Sequence, residues 1–389
     1  MTRQVRELFF ALIRSQVCGE PLSDGEKALC TEECLEELYE LSSKQDLAHI
    51  VSAALVKNQM LSNESEIASK FKKKKMMSIY RYQGLGYEYE TVCAAFDEAG
   101  FDYLPLKGAV IRKYYPEPWM RTSCDIDILV KNDDIERASS VLTDKLGYRR
   151  EEMGNHDISF FSPSGFHMEL HYDLVEDGIA GKSNKTLASV WEYSHPIKDG
   201  SHHMEMSDGM FYFYHIAHMA KHFERGGCGV RTLLDGWILT HKVEGDIPER
   251  EKLLTDGELY TFSKVVERLS DIWFSGAPYD EQALRIEEYI ISGGTYGTVS
   301  NKVSVAQTKM GSKFKYAMSR IFLPYESLKF HYPVLQAHRW LMPVCQVRRW
   351  FKLLFKGGVK RSIRELQSNQ KVTKEDNEDI AGLLKSMGL

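Results

Sequence analysis

The chain has 389 residues, 43% hydrophobic and 27% charged, with a formal net charge of -5. This length supports two or three domains with a sizeable core, and the balance is that of a globular protein rather than a disordered one. It counts against a non-specific nucleic-acid binder, which carries excess positive charge, and no uncharged stretch reaches the length of a membrane span.

The start, MTRQVRELFFALIRSQ, intersperses charges among its apolar residues and lacks the uninterrupted core of a signal peptide. The seven cysteines are scattered, and Cys30 and Cys34 stand one helical turn apart without a second pair to complete a zinc site. Together these predict a cytoplasmic, reduced protein without structural zinc.

Apolar residues at three- and four-residue spacing predict helices in VRELFFALIR, CLEELYELSSK and LAHIVSAALVK. The stretch SEIASKFKKKKMMSIYRYQGLGYEYETVCAAFDEAG reads as one long helix or two, stopped by Gly100. Its run Lys72 to Lys75 is either a solvated helix face or an electrostatic landing strip for phosphate or nucleic acid.

The texture changes at residue 101. FDYLPLKG reads as a strand ending in a Lys-Gly turn, AVIRKYY as a short helix closed by Pro116 and Pro118, and CDIDILV as a strand. DDIERASSVLTDKLG predicts a helix capped by Asp133 or Asn132 and stopped by Gly147. YRREE, DISFFS and FHMELHYDL predict strands, the last two joined by an SPSG turn. From about residue 208 helices return in GMFYFYHIAHMAKHF, RTLLDGWILTHKV and EQALRIEEYIIS, and QKVTKEDNEDIAGLLKSMGL reads as a loosely attached closing helix. The expected class is α+β: an N-terminal helical region over 1–100, a small mixed-sheet core over 101–200 and a C-terminal helical domain over 201–389.

The chemistry concentrates in LKGAVIRKYYPEPWMRTSCDIDILV and in MELHYDL. Residues two apart on a strand share a face, so Asp125 and Asp127 project together while Ile126 and Ile128 point the other way. Two adjacent carboxylates repel, and a divalent cation removes the conflict. Magnesium suits such oxygen ligands and completes its shell with water and phosphate. Glu169, flanked by Met168 and Leu170, supplies a third carboxylate from a strand that can neighbour the first. Two Mg2+ ions held by Asp125, Asp127 and Glu169, or Mn2+ in their place, can clamp an in-line displacement at phosphorus. Asp125 and Asp127 are expected to ligate both ions, and Glu169 to ligate the catalytic one and accept the acceptor's proton. The Lys107-Gly108 turn adds backbone N–H groups at a helix start, a charge, and room for close approach of a phosphate.

Leu-Lys-Gly, then Arg121 to Asp127, then Gly147-Tyr148, then Glu169-Leu170-His171, together resemble the bacterial uncharacterised nucleotidyltransferase family of the DNA polymerase β superfamily. They are also similar to nucleotidyltransferase toxins of the abortive-infection type. The strong match covers roughly residues 101 to 175, with weaker echoes in HIAHMAKHF, RTLLDGWIL and SGGTYG. The resemblance implies a polymerase β-like core flanked by helices, Asp125, Asp127 and Glu169 as metal ligands, Lys107 and Gly108 as the nucleotide-binding turn, and an NTP as substrate. One departure stands out: Lys107-Gly108 occupies the place of the superfamily's usual Gly-Ser turn.

Arg121 is placed either to reach a triphosphate or to pair with Asp125 or another local carboxylate. His171 shares the Glu169 face and either orients that carboxylate or meets substrate; His167 lies on the same face, nearer the turn. His215, His218 and His222 line one helix face without a matching carboxylate, so they read as interface histidines, with His218 and His222 facing the cleft if they bind anything. Arg231 and Asp235, one turn apart, read as an ion pair. HRWLMPVCQVRRWFKLLFKGGVKRSIRE either lies on a membrane surface or RNA, or packs its aromatics inward as an amphipathic helix.

The expected activity is transfer of a nucleotide from an NTP to an acceptor hydroxyl with release of pyrophosphate. The net charge counts against RNA as acceptor, and helical, aromatic flanks suit a pocket for a small molecule or a protein. The alternatives are a silent NTP-binding or partner-binding module and a toxin-type enzyme acting on RNA.

Overall fold

The protein, seen in a computed structural model, is described over residues 2–61, 65–154, 156–175, 182–295, 297–355 and 359–389. Its central sheet contains β1 (Tyr103–Pro105), β2 (Asp125–Val130), β3 (Arg149–Met153), β4 (Asp157–Phe161) and β5 (His167–His171), in the order β1-β2-β5-β4-β3. β2 and β5 are parallel, and the other neighbours are antiparallel. The chain reaches β5 only after laying down the β3–β4 hairpin, so the two parallel strands meet in the middle of the sheet. A two-stranded ribbon, β6 (Ser194–Pro196) with β7 (Met204–Met206), adjoins the β1 edge, where the Tyr103 N–H donates to the His202 carbonyl at 3.0 Å.

The alternation in β2 separates the two faces of the sheet. Ile126, Ile128 and Val130 enter a core with Ile158 and Phe160 of β4 and Met168 and Leu170 of β5. Leu85, Val92 and Phe96 close this core from a long helix. With the back face covered, the polar positions of β2 and β5 are left for the front.

The N-terminal helices α1 (Arg3–Ile13), α2 (Glu32–Lys44) and α3 (Ala48–Lys57) lead to the long helix α4 (Glu66–Ala99). The Ser65 hydroxyl accepts from the Ala68 N–H at the start of α4, and Gly100, at φ +73°, ends it in the left-handed conformation that glycine adopts without steric cost. Gly84 lets α4 approach the sheet domain, because a Cβ there would overlap the Phe166 ring. The short helix α5 (Lys107–Ile111) links β1 to the loop before β2, and α6 (Ile135–Ser140) follows β2.

Four further helices, α7 (Asp208–Glu224), α8 (Val230–His241), α9 (Tyr260–Phe274) and α10 (Glu281–Ser292), share one hydrophobic core with α1 to α3. Phe10 of α1 stacks on Trp273 of α9 with ring centroids 4.6 Å apart. Buried Gln45 donates to the Gly293 carbonyl at 3.1 Å and accepts from the Val230 N–H at 3.0 Å, tying the N-terminal helices to α8 and α10. The fold is therefore α+β, a small mixed sheet among helices.

Three local expectations change. The segment Asn132–Asp134 is a 3-10 turn, and the Asp134 side chain makes no capping bond to α6, so neither Asn132 nor Asp133 is the α-helix N-cap. The closing helix, Lys374–Ser386, is docked rather than loose, with Leu383, Leu384 and Met387 buried. In the helix Met342–Phe355, Trp350 donates to the Ile321 carbonyl at 2.9 Å, but Trp340 just before it and Phe351 remain exposed. This region packs on a small core around Leu328, Leu335 and Cys345, too narrow to cover every aromatic. Residues 356–358 of that segment lie outside the described residues. Among the described residues, no helix is long and apolar enough to cross a membrane.

Candidate active site

The parallel pairing of β2 with β5 sets Asp127 opposite Glu169 and Asp125 opposite His167. Glu169 belongs to two groups whose ligand atoms lie within 4.8 Å of one another, one with Asp125 and His167 and one with Asp127 and His171. The two aspartates thus meet through Glu169 rather than in a single cluster of three carboxylates.

Asp127 is 3% exposed. Its Oδ1 accepts from Lys107 Nζ at 2.8 Å and from His171 Nε2 at 3.0 Å. Burial alone would raise its pKa, but the Lys107 charge and the two hydrogen bonds hold it well below the usual carboxylate range. Asp125 has the opposite environment. Burial and the charges of Asp127 and Glu169 push it up to about 6. Three carboxylates therefore face one lysine and one imidazole, and the excess negative charge collects on Asp125 and Glu169. These oxygen donors suit a divalent cation.

Lys107 is held in place by its backbone. Its φ is +46°, left-handed for a non-glycine residue, which costs about 1–2 kcal/mol. The preceding Leu106 N–H donates to the Asp127 carbonyl at 3.0 Å, anchoring the turn to β2. Gly108 follows on the cleft side; a Cβ there would come within 3.2 Å of Ser123 Cβ.

The opposite wall comes from α7 and α8. Together with the sheet front it encloses a cleft of about 250 Å3, lined by Lys107, Gly108, Arg121, Asp125, Asp127 and Glu169 on one side and by Tyr214, His215, His218 and His222 on the other. His215 Nε2 lies 3.0 Å from the Thr232 carbonyl. His218 and His222 pack edge to face, centroids 4.5 Å apart. Burial holds all three imidazoles below their ordinary pKa, His222 at about 4.

Arg121 bends away from the carboxylates of the sheet. Its Nε meets both oxygens of Asp235 at 2.7 and 2.8 Å, and Tyr115 donates to the same carboxylate at 2.7 Å. Arg231 does not pair with Asp235. It reaches Asp46 at 2.5 Å and Thr122 Oγ1 at 3.0 Å, because Asp235 is already filled from the loop before β2. His171 is buried behind the carboxylates, with Asp127 nearer than Glu169 at 3.0 against 3.5 Å. Of the residues singled out from the sequence, Lys107, Gly108, Arg121, Asp125, Asp127, Glu169, His218 and His222 line the cleft, and His171 supports it from below. Sequence reasoning missed Tyr115, which contacts Asp235 across 120 positions, and Tyr214, whose place inside an aromatic run marks it as core.

A crowded carboxylate floor on a small mixed sheet, under a helical wall, offers oxygen and imidazole ligands that could hold a metal ion. The chain belongs to a family described as uncharacterised nucleotidyltransferases, whose model matches residues 31–271 and so spans the sheet, the cleft and the helices around it. No curated protein and no solved structure matches the chain.

Proposed function

We propose that the chain is a divalent-metal-dependent nucleotidyltransferase, passing the nucleotide of an NTP to an acceptor hydroxyl. The observation that carries the reading is the parallel register that opposes Asp127 to Glu169, with Asp125 beside them, on the floor of a cleft. Asp125, Asp127 and Glu169 would hold magnesium or manganese, which when bound offsets charge on the triphosphate and on the departing pyrophosphate. Lys107 and His171 fix the Asp127 carboxylate in one orientation. Glu169 would take the proton of the acceptor hydroxyl. The acceptor oxygen bonds to the α-phosphorus, the bond from that phosphorus to the bridging oxygen breaks, and pyrophosphate leaves. His218 and His222, kept neutral by burial, can hydrogen-bond base or sugar without adding charge.

Calorimetric titration with ATP, CTP, GTP and UTP, with and without magnesium, tests this. Magnesium-dependent binding that Asp125→Asn abolishes is the expected result; no binding of any nucleotide would overturn it. A second reading, a silent nucleotide-binding module, is favoured by the Lys107 ammonium already seated 2.8 Å from Asp127. Binding without pyrophosphate release across a panel of acceptors would select it.

A further inference from the structure

The net charge of -5 conceals a strongly basic stretch. From Ile67 to Tyr87 the chain has six basic residues and no acidic one. All of it lies in α4, whose buried side, through Phe71, Ser78 and Leu85, packs inward. On the outer side Met76, Met77, Tyr80 and Tyr87 are 62%, 54%, 78% and 69% exposed. With Lys73 and Arg81, the residues Met76, Met77 and Tyr80 recur three or four apart, and Tyr87 follows about two turns after Tyr80, which places all six along one face. A merely solvated helix face has no use for four large exposed side chains of this kind. A membrane-surface helix separates its apolar face from its basic one, whereas here they are interleaved. Cations interleaved with aromatic rings are what a single strand of nucleic acid requires: charge for the phosphates and flat surfaces for the bases.

The face also leads to the cleft. Arg81 Nη1 is 3.6 Å from Sγ of exposed Cys124, which lines the cleft and directly precedes Asp125. A groove of about 130 Å3, lined by Lys74, Met77, Arg81 and Thr122, runs beside it. Asp46, also on that groove, is already paired with Arg231 and Thr122. From Lys73 to Tyr87 the helix rises about 21 Å, room for roughly six nucleotides at about 3.4 Å each.

We infer that the outer face of α4 is the landing surface of the acceptor, a single-stranded nucleic acid whose terminal hydroxyl enters the cleft beside Asp125. The inference rests on the nucleotidyltransferase reading for its chemistry: the terminal oxygen bonds to the α-phosphorus of the NTP, pyrophosphate departs, and the hydroxyl proton passes to Glu169. Docking itself needs neither NTP nor metal, so it is tested separately.

Fluorescence anisotropy of labelled 12-nucleotide single strands, one RNA and one DNA, is measured with the full chain in chelator. Binding of at least one strand is expected, weakening steeply between about 50 and 200 mM salt. The double variant Lys73→Glu/Lys74→Glu and the single variant Tyr80→Ala are each expected to weaken it about tenfold or more, with wild-type melting transitions. The RNA and DNA arms identify the strand. No strand binding at low salt, equal binding by the variants, or preference for phosphatidylserine vesicles over both strands would overturn the inference. If strands bind but receive no nucleotide when NTP and magnesium are supplied, the landing surface stands and the transferase reading falls. If the chain instead loads a small molecule or a protein and binds no strand, the landing surface falls and the transferase reading stands.

Discussion

The two walls of the cleft handle charge in opposite ways. On the sheet wall, Asp125 and Asp127 lie two residues apart on one face of one strand, yet Asp127 is held well below its ordinary pKa and Asp125 is pushed up to about 6. Lys107 and His171 are hydrogen-bonded to Asp127, whereas among the described residues Asp125 has only the weaker charge attraction of Lys107 and His167 against its burial and the repulsion of its neighbours. On the helical wall Asp235 takes Arg121 and Tyr115, burial holds the histidines beside it below their ordinary pKa, and Lys221 of α7 is pushed down to about 7. An unbalanced wall can gain from a cation and a balanced one cannot, so the sheet is where ligand binding changes the electrostatics, and the helices supply shape.

Removing a carboxylate from each wall sharpens this contrast. Asp235→Ala strands a buried guanidinium and a phenol, and is expected to cost about 3–5 kcal/mol in urea unfolding. Asp127→Ala also strands Lys107, but Asp125 and Glu169 then face less repulsion and Lys107 retains the attraction of Glu169. Its cost should be smaller, about 2 kcal/mol. A reversed order would mean that the sheet wall is the better balanced of the two.

Asp125→Asn is expected to stabilise the protein in chelator, because the charged carboxylate is disfavoured in the fold. A rise from 3.8 to about 6 corresponds to on the order of 3 kcal/mol. The sign follows from the raised value: the penalty is full above about pH 6 and disappears as the pH falls toward the ordinary carboxylate range. The gain of the variant over wild type, read from paired melts, should therefore shrink on acidification. Because this variant gains stability, its loss of nucleotide binding cannot be ascribed to unfolding.

How much of this was legible in the sequence follows from the range of each interaction. Alternation in CDIDILV and MELH exposes which residues share a face, since a strand's period is two. The register of Asp127 against Glu169 is not legible, because it depends on β5 bypassing β3 and β4 to pair with β2. The histidine face is visible at helical spacing, but that spacing also describes a packed core, and Tyr214 and its neighbours disguise the cleft. Arg231 stands one turn from Asp235 and was the natural partner for it, yet Arg121, 114 positions away, takes that carboxylate. Local spacing shows which groups can meet and not which are already engaged. The left-handed backbone of Lys107 left no trace either, for lysine is not a residue that announces a positive φ.

The smallest effect separates the walls by pH. Manganese alone serves as the probe, since the terminal phosphate of an NTP titrates in the same range as Asp125. As the pH falls through about 6, Asp125 takes up a proton and competes with the ion. Apparent affinity should then drop by up to about tenfold per pH unit. His222, held at about 4, is neutral around pH 6 and contributes no limb there, and burial holds His218 well below its ordinary value. His222→Gln should accordingly leave the midpoint where it is, while Asp125→Asn removes the limb. A midpoint that moved with His222 would place the titrating charge on the helices and dissolve the distinction between the walls.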